Sequence, residues 1–106
     1  MFAREVTVNL KPNSQAMFTQ TLEKEIIPLL RKANGFQDEI TFFAHDGTEA
    51  VGISLWDQKE NAETYHSGTY PKVLQTLNRM VEGTPRVRTY EVSNSTWHKI
   101  GVQIPS

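Results

Sequence analysis

Residues 49–66, EAVGISLWDQKENAETYH, constrain the fold more than any other stretch, because an alternating strand there runs without a linker into a helix. Val51, Ile53 and Leu55 fall on one face of the strand and Ala50, Gly52, Ser54 and Trp56 on the other, the two-residue period of extended backbone. Asp57 is expected to cap the helix, with Glu60 three residues on at the capping-box distance. Ala62, Tyr65 and His66 share a helical face, so Trp56, Tyr65 and His66 are expected to look into the space between sheet and helix. Asp46-Gly47, just upstream, reads as a type I′ hairpin turn. It pairs this strand antiparallel with the alternating run 36–45, in which Ile40 and Phe42 share one face and Phe43 and His45 the other.

The same periods place the remaining elements. Residues 2–10, FAREVTVNL, alternate with Val6, Val8 and Leu10 on one face and Glu5, Thr7 and Asn9 on the other. After Lys11-Pro12, Asn13 or Ser14 is expected to cap a helix carrying Phe18, Leu22, Ile26, Leu29, Leu30 and Ala33 at a 3.6-residue period. Pro28 lies inside that period and is expected to kink or thin the helix near Lys24, since proline lacks an N–H and clashes with the carbonyl four residues back. Asn34-Gly35 ends it. A second long helix with Pro71 in its first turn carries Tyr70, Val73, Leu74, Leu77, Met80 and Val81 on one face, and Gly83 is expected to stop it. Residues 85–93 form the last strand. The order is strand, helix, strand, strand, helix, strand, which predicts an α+β, ferredoxin-like βαββαβ domain with a four-stranded antiparallel sheet over residues 1–94. Residues 95–106 remain as a tail whose Trp97, Ile100, Val102 and Ile104 are expected to dock on the domain or on a partner subunit. Two helices cover one face of such a sheet, so a second copy of the chain is expected on the other, making a homodimer through the sheet faces.

Composition removes several classes. Eleven basic and twelve acidic residues give a net charge of -1, which supplies no electrostatic reason to bind nucleic acid or an anionic membrane. The same topology serves RNA recognition, but that use needs stacking aromatics at the centres of strands one and three, which here read EVTV and VGIS. With no cysteine, thiolate catalysis, disulfides and the C-x-x-C of a metal chaperone are excluded. LKPNSQ after the first strand is not the glycine-rich phosphate cradle of an acylphosphatase. No apolar run reaches the length of a membrane span and the N-terminus lacks a signal-peptide core, so a cytoplasmic protein is the expectation.

IIPLLRKANGF, ISLWDQKENAETYHSG and VRTYEV, spread over residues 3–93, resemble the antibiotic-biosynthesis-monooxygenase-like family of dimeric α+β barrels. The resemblance implies a dimeric barrel and a function among small oxygenases that act on aromatic polyketides with no cofactor, neither flavin nor metal, haem-degrading enzymes, or small proteins without a known role. For haem degradation it implies an asparagine, a tryptophan and a ligating histidine at positions that fall here near Glu5, Tyr65 and Gln75. All three depart. For a polyketide oxygenase it implies a pocket lined by a tryptophan, a tyrosine and polar groups, roles open to Trp56, Tyr65 and Tyr70.

The expected pocket lies between sheet and helices, lined by some of Phe43, Ser54, Trp56, Tyr65, His66 and Tyr70, with the small Gly52 and Ser54 leaving room and Ser67 to Thr69 opening a mouth. Its occupant is expected to be a small aromatic molecule. Oxygenation without a cofactor needs a phenol or activated CH₂ that loses a proton and then gives an electron to O₂. His66 is the candidate base and Tyr65 its catalytic neighbour. Against this stands an ordinary helix-end histidine bonded to a carbonyl, just as Trp56 either stacks a ligand or closes the core. Glu63 and His66 form an E-x-x-H pair that fits a metal site only with further ligands, so no metal is expected. The reading is a cofactor-independent monooxygenase, the alternative a non-catalytic dimeric small-molecule-binding or regulatory module.

Overall fold

A computed structural model describes residues 1–96, and within them the predicted order holds. Strands β1 (Phe2–Leu10), β2 (Phe36–Phe43), β3 (Glu49–Trp56) and β4 (Val81–Glu91) form one antiparallel sheet in the order β2-β3-β1-β4. Helices α1 (Gln15–Thr21), α2 (Ile27–Arg31), α3 (Lys59–Gly68) and α4 (Tyr70–Leu77) supply the other layer. This is the ferredoxin-like α+β arrangement. Among the described residues no helix is long and apolar enough to cross a membrane. The tail docking expected of Trp97, Ile100, Val102 and Ile104, and the position of His98, lie outside the described residues.

The two faces of β3 separate as its alternation requires. Ala50 and Trp56 join Phe2, Val8 and Leu10 of β1 in the core beneath the helices, together with Phe18, Ile26, Leu30, Ala62, Tyr65, Tyr70, Val73, Leu77 and Met80. On the opposite face Leu55 and Ala3 are buried with Met1, Ile53 and Val92 packed against them. In β2 the register steps from Phe36↔Trp56 to Asp38↔Leu55, so one extra residue is spent on a bulge. The bulge puts Phe36, Glu39, Thr41 and Phe43 on the helix side and Ile40 and Phe42 outside.

Three local expectations are corrected and one is made specific. Asp57 does not cap α3: the N-cap is Gln58, in extended backbone and without a side-chain cap bond. The Asp57 N–H is held by the Gly35 carbonyl at 2.9 Å, and its carboxylate accepts instead from the Asn61 side-chain amide at 2.9 Å. The 46–47 turn is not type I′, because Gly47 has φ +75° but Asp46 has no positive φ. The Ala44 N–H bonds Glu49 O across a longer loop, and the Asp46 carboxylate accepts from the N–H and hydroxyl of Thr48. Around Pro28 the irregularity expected near Lys24 is present and takes a definite form. Leu22–Ile26 adopts a π-helical turn between α1 and α2, which displaces the carbonyls that the proline ring would meet and absorbs its missing donor. Finally, α4 ends at Leu77, not at Gly83. Val81 already pairs with Leu10, and Met80 O accepts from Lys11 N, so tertiary strand pairing overrides the helical period. Gly83 lies inside β4 with φ +73°, where β4 advances from Glu82 to Arg86 while β1 advances only from Asn9 to Thr7.

Candidate functional site

The even-numbered side chains of β1 point under the helices, and one of them is a cation. Arg4 pairs with Ser54 of β3 and Thr89 of β4 in the middle of the sheet and is only 4% exposed. Its guanidinium lies 4.0 Å from the ring centroid of Tyr70 and 5.3 Å from that of Tyr65, a cation–π arrangement that offsets part of the lost hydration. It also donates through Nη2 to Nδ1 of His66 at 3.0 Å. Since the guanidinium can only donate, Nδ1 must be the unprotonated nitrogen, and the imidazole proton resides on Nε2.

Helix α3 brings Tyr65 inward, and the next residue, turned 100° around the axis, out of the core. Tyr65 is buried and packs 5.1 Å from Trp56, whose ring meets Phe36 at 5.7 Å. His66 is exposed. It stacks on Tyr70 with ring centroids 5.4 Å apart and planes 22° from parallel. Tyr70, the first residue of α4 ahead of Pro71, is in turn 6.3 Å from Tyr65. A single residue, Thr69, separates the two helices, so both tyrosines and the histidine are delivered by one tight junction.

Between the sheet and the helices lies a cavity of about 80 Å³. Its walls are mostly apolar, with Val6 and Val8 from β1, Phe18, Leu22 and Ile26 from the first helical layer, and Val73 and Leu77 from α4. Arg4, Ser54, Tyr65 and Tyr70 supply the polar groups. Gly52 lines it and leaves space that a side chain would fill. Arg4 also lines an open groove of about 680 Å³ on the other side, together with Lys59, Glu63, His66 and Ser67 over a floor of Phe2, Ala62 and Val87. At the far end the cavity shares Leu22, Glu39 and Thr41 with a surface groove of about 290 Å³ that reaches Phe43.

The residues expected together are therefore distributed. Ser54, Tyr65 and Tyr70 line the cavity. Trp56 does not: it is 0% exposed and closes the core, its indole N–H donating to Ser54 Oγ at 2.9 Å. His66 does not look into the cavity either, because helix rotation places it in the open groove beyond Arg4. Phe43, 36% exposed, packs edge-on against Phe18 at 6.0 Å and belongs to the outer groove. Glu63 and His66 share the first groove, but among the described residues no group of three His, Cys, Asp or Glu side chains could hold a metal. Arg4 went unnoticed in the sequence, although its parity with Val6, Val8 and Leu10 was a signal: a cation in the core-facing row of an alternating strand.

Electrostatics follow burial. Desolvation pushes the Tyr65 phenol up to about 12 despite the opposing attraction of Arg4, and it raises Tyr70 in the same way. Burial lowers Arg4 from its usual value, with the tyrosine rings acting against that. Arginine nevertheless stays protonated in proteins. The site thus holds one buried positive charge beside two neutral phenols.

No family model and no curated protein sequence matches the chain. Solved structures do. A monooxygenase from the gene ActVA-Orf6 of Streptomyces coelicolor, in complex with the ligand nanaomycin D, superposes with a TM-score of 0.77 at 16% identity, over 99% of this chain and 92% of that one. The NE2512 protein of unknown function from Nitrosomonas europaea gives 0.73 at 14% identity, over 90% and 91%. A structure described as an antibiotic biosynthesis monooxygenase gives 0.69 at 13% identity, over 87% and 98%. Identities this low speak to architecture alone, and on that level the match is consistent: the chain is built on the fold of the antibiotic biosynthesis monooxygenase structures, the fold that its resemblance over residues 3–93 implies.

Proposed function

We propose that the chain is a cofactor-independent monooxygenase of a small aromatic or polyketide-like substrate, bound between the sheet and the helices. The observation that carries this reading is the convergence of Arg4, Tyr65 and Tyr70 on one apolar cavity. A buried cation beside neutral donors favours a substrate oxyanion, which is the form of a phenol or enol that gives electrons to O₂. In the net step a CH₂ becomes C=O. One atom of O₂ enters the product, the other leaves as water with both hydrogens, and the substrate supplies all the reducing electrons. That a monooxygenase of the same fold takes the ligand nanaomycin D supports the choice of an organic substrate.

Within this reading Arg4 and Tyr70 stabilise the oxyanion, and Tyr65 remains a neutral donor at physiological pH. Ser54 and Trp56 hold the wall through their hydrogen bond, and Phe43 borders the far mouth. His66 reaches substrate as a base only if Arg4 first releases Nδ1, so its first role is to position Arg4. Oxygen-electrode assays of the metal-free protein against a panel of phenols and quinols test the proposal. Uptake that depends on protein and disappears in Gly52→Ala supports it, whereas absence of uptake across the panel overturns it. The second reading is a non-catalytic binding module for a molecule smaller than a ring, because about 80 Å³ is roughly half the volume of an engineered cavity that takes benzene.

We also propose that a second copy of the chain covers the outer sheet face. The helices occupy the other side, while Phe42 is 49% and Tyr90 40% exposed beside Ile40, Val51, Ile53 and Leu55. An interface of ~800 Å² per subunit is the usual scale for a stable pair.

A further inference from the structure

Two buried polar atoms of residues that line the cavity have no well-formed hydrogen bond among the described residues: Nε of Arg4 and the hydroxyl of Tyr70, whose side chains attract each other without satisfying either atom. Both residues are more than nine-tenths buried, at 4% and 6% exposure, and both line the same cavity. Atoms of this kind are rare in folded proteins, since an unmet buried donor costs about 1–3 kcal/mol and more when it is charged. Among the described residues no carboxylate is within ion-pair distance of Arg4, Glu63 lining only the open groove on its other side. Among the described residues the only ion pair joins Arg86 to Glu49 at 3.0 Å, on the other face of the sheet. The carboxylate of Glu39, at the opposite end of the cavity, accepts from the Thr41 hydroxyl at 2.9 Å.

We propose that the cavity is a receptor for an oxyanion carried on an aromatic ring, its charged oxygen seated between Arg4 Nε and the Tyr70 hydroxyl. Water could satisfy either atom, but water leaves the buried guanidinium without a neutralising charge, and an anion meets both needs at once. The rest of the lining decides what carries the charge. Val6, Val8, Phe18, Leu22 and Ile26 present an apolar wall, and the faces of Tyr65 and Tyr70 offer ring surface beside the cation. At about 80 Å³ the space is too small for a ring as it stands, so a ring enters only with a shift of the wall. The π-helical turn Leu22–Ile26, which supplies two of the lining residues, is the part of that wall without regular i→i−4 bonding. The proposal rests on the assignment of the cavity as the ligand site but not on turnover.

Carboxylate and phenolate present the same chemistry, and calorimetry on the full chain separates them. Benzoate is expected to bind at least tenfold more tightly than benzamide, which has nearly the same shape without the charge. Phenol binding accompanied by release of one proton identifies phenolate as a second acceptable form, while benzoate binding alone restricts the class to carboxylates. Tyr70→Phe is expected to weaken benzoate by about tenfold or more, the scale of one hydrogen bond to a charged group. Its melting temperature should hold or rise, because the hydroxyl it removes is unsatisfied. Arg4→Met is expected to abolish the preference for benzoate over benzamide. A merely structural tyrosine would lose stability and leave the preference unchanged. Equal affinity for benzoate and benzamide, no benzoate binding at millimolar concentration, or an unchanged affinity in Tyr70→Phe overturns the proposal. Benzoate binding without oxygen uptake from any phenol leaves it standing and removes only the oxygenation.

Discussion

Arg4 and His66, 62 residues apart in sequence, meet through a 3.0 Å hydrogen bond in which the guanidinium donates to the imidazole Nδ1. The bond joins one of the two central strands of the sheet to the last turn of α3, and it assigns the imidazole proton to Nε2. Nitrogen-15 NMR at neutral pH should therefore report an unprotonated Nδ1. His66→Ala removes the acceptor and should cost about 1–2 kcal/mol in chemical denaturation, the scale of a hydrogen bond to a charged group. A protonated Nδ1 at neutral pH would show that the pair does not form.

Gly52 offers a way to close the cavity without disturbing the fold. A Cβ there would meet only the Thr41 hydroxyl at 3.7 Å, an ordinary contact, and the backbone does not need positive φ. Gly52→Ala should leave the melting temperature unchanged or raise it by the equivalent of about 0.5–1 kcal/mol through reduced chain entropy. It should at the same time weaken binding of any cavity ligand. Unaltered ligand affinity in a folded Gly52→Ala protein would place the binding site elsewhere.

Gly35 should tolerate no side chain. Its φ is +80°, and a Cβ would collide with the side chains of Asp57 and Asn61, which are themselves hydrogen-bonded. Gly35→Ala is expected to destabilise by at least about 1–3 kcal/mol, from backbone strain together with displacement of that pair. Urea midpoints with an unchanged slope would measure it cleanly.

Burial of Tyr65 sets an alkaline limit. Its phenol is pushed up to about 12 from an ordinary value near 10, so the folded state retains a proton that the unfolded state gives up. The associated stability is present in full below about pH 10 and is lost as pH rises through about 12. Ultraviolet titration of the three tyrosines should lose its latest-titrating phenol in Tyr65→Phe, while the raised Tyr70 phenol remains. If the number of late-titrating phenols is the same in the variant and the parent, the burial assignment of Tyr65 is wrong.

The outer face should respond to charge in a different way. Phe42 is half exposed and outside the core, so Phe42→Asp should leave the subunit folded while splitting a sheet-to-sheet pair. Light scattering at micromolar concentration would give a monomer mass for the variant and twice that for the parent. A monomeric parent would remove the second copy from the proposal.

Periodicity alone determined the four strands, the order of strands and helices, and the division of β3 into a core row and an outer row. These are short-range consequences of side-chain direction: a two-residue period has to put Ala50, Ser54 and Trp56 on one side whatever the rest of the chain does. The parity of Arg4 with Val6 and Val8 carried the same information, although it went unnoticed in the sequence. What no local pattern contains is the partner brought opposite each row. The extra residue in β2, the end of α4 at Leu77 and the pairing of Val81 with Leu10 were decided by strand register, because hydrogen bonds between strands outweigh a weak helical preference. The rotation of α3 on the sheet then carried Tyr65 to the cavity and His66 to the groove beyond it. Only that packing made a cation on one strand and a hydroxyl on a distant helix converge on the same space, with neither supplied a partner by its own neighbours in sequence.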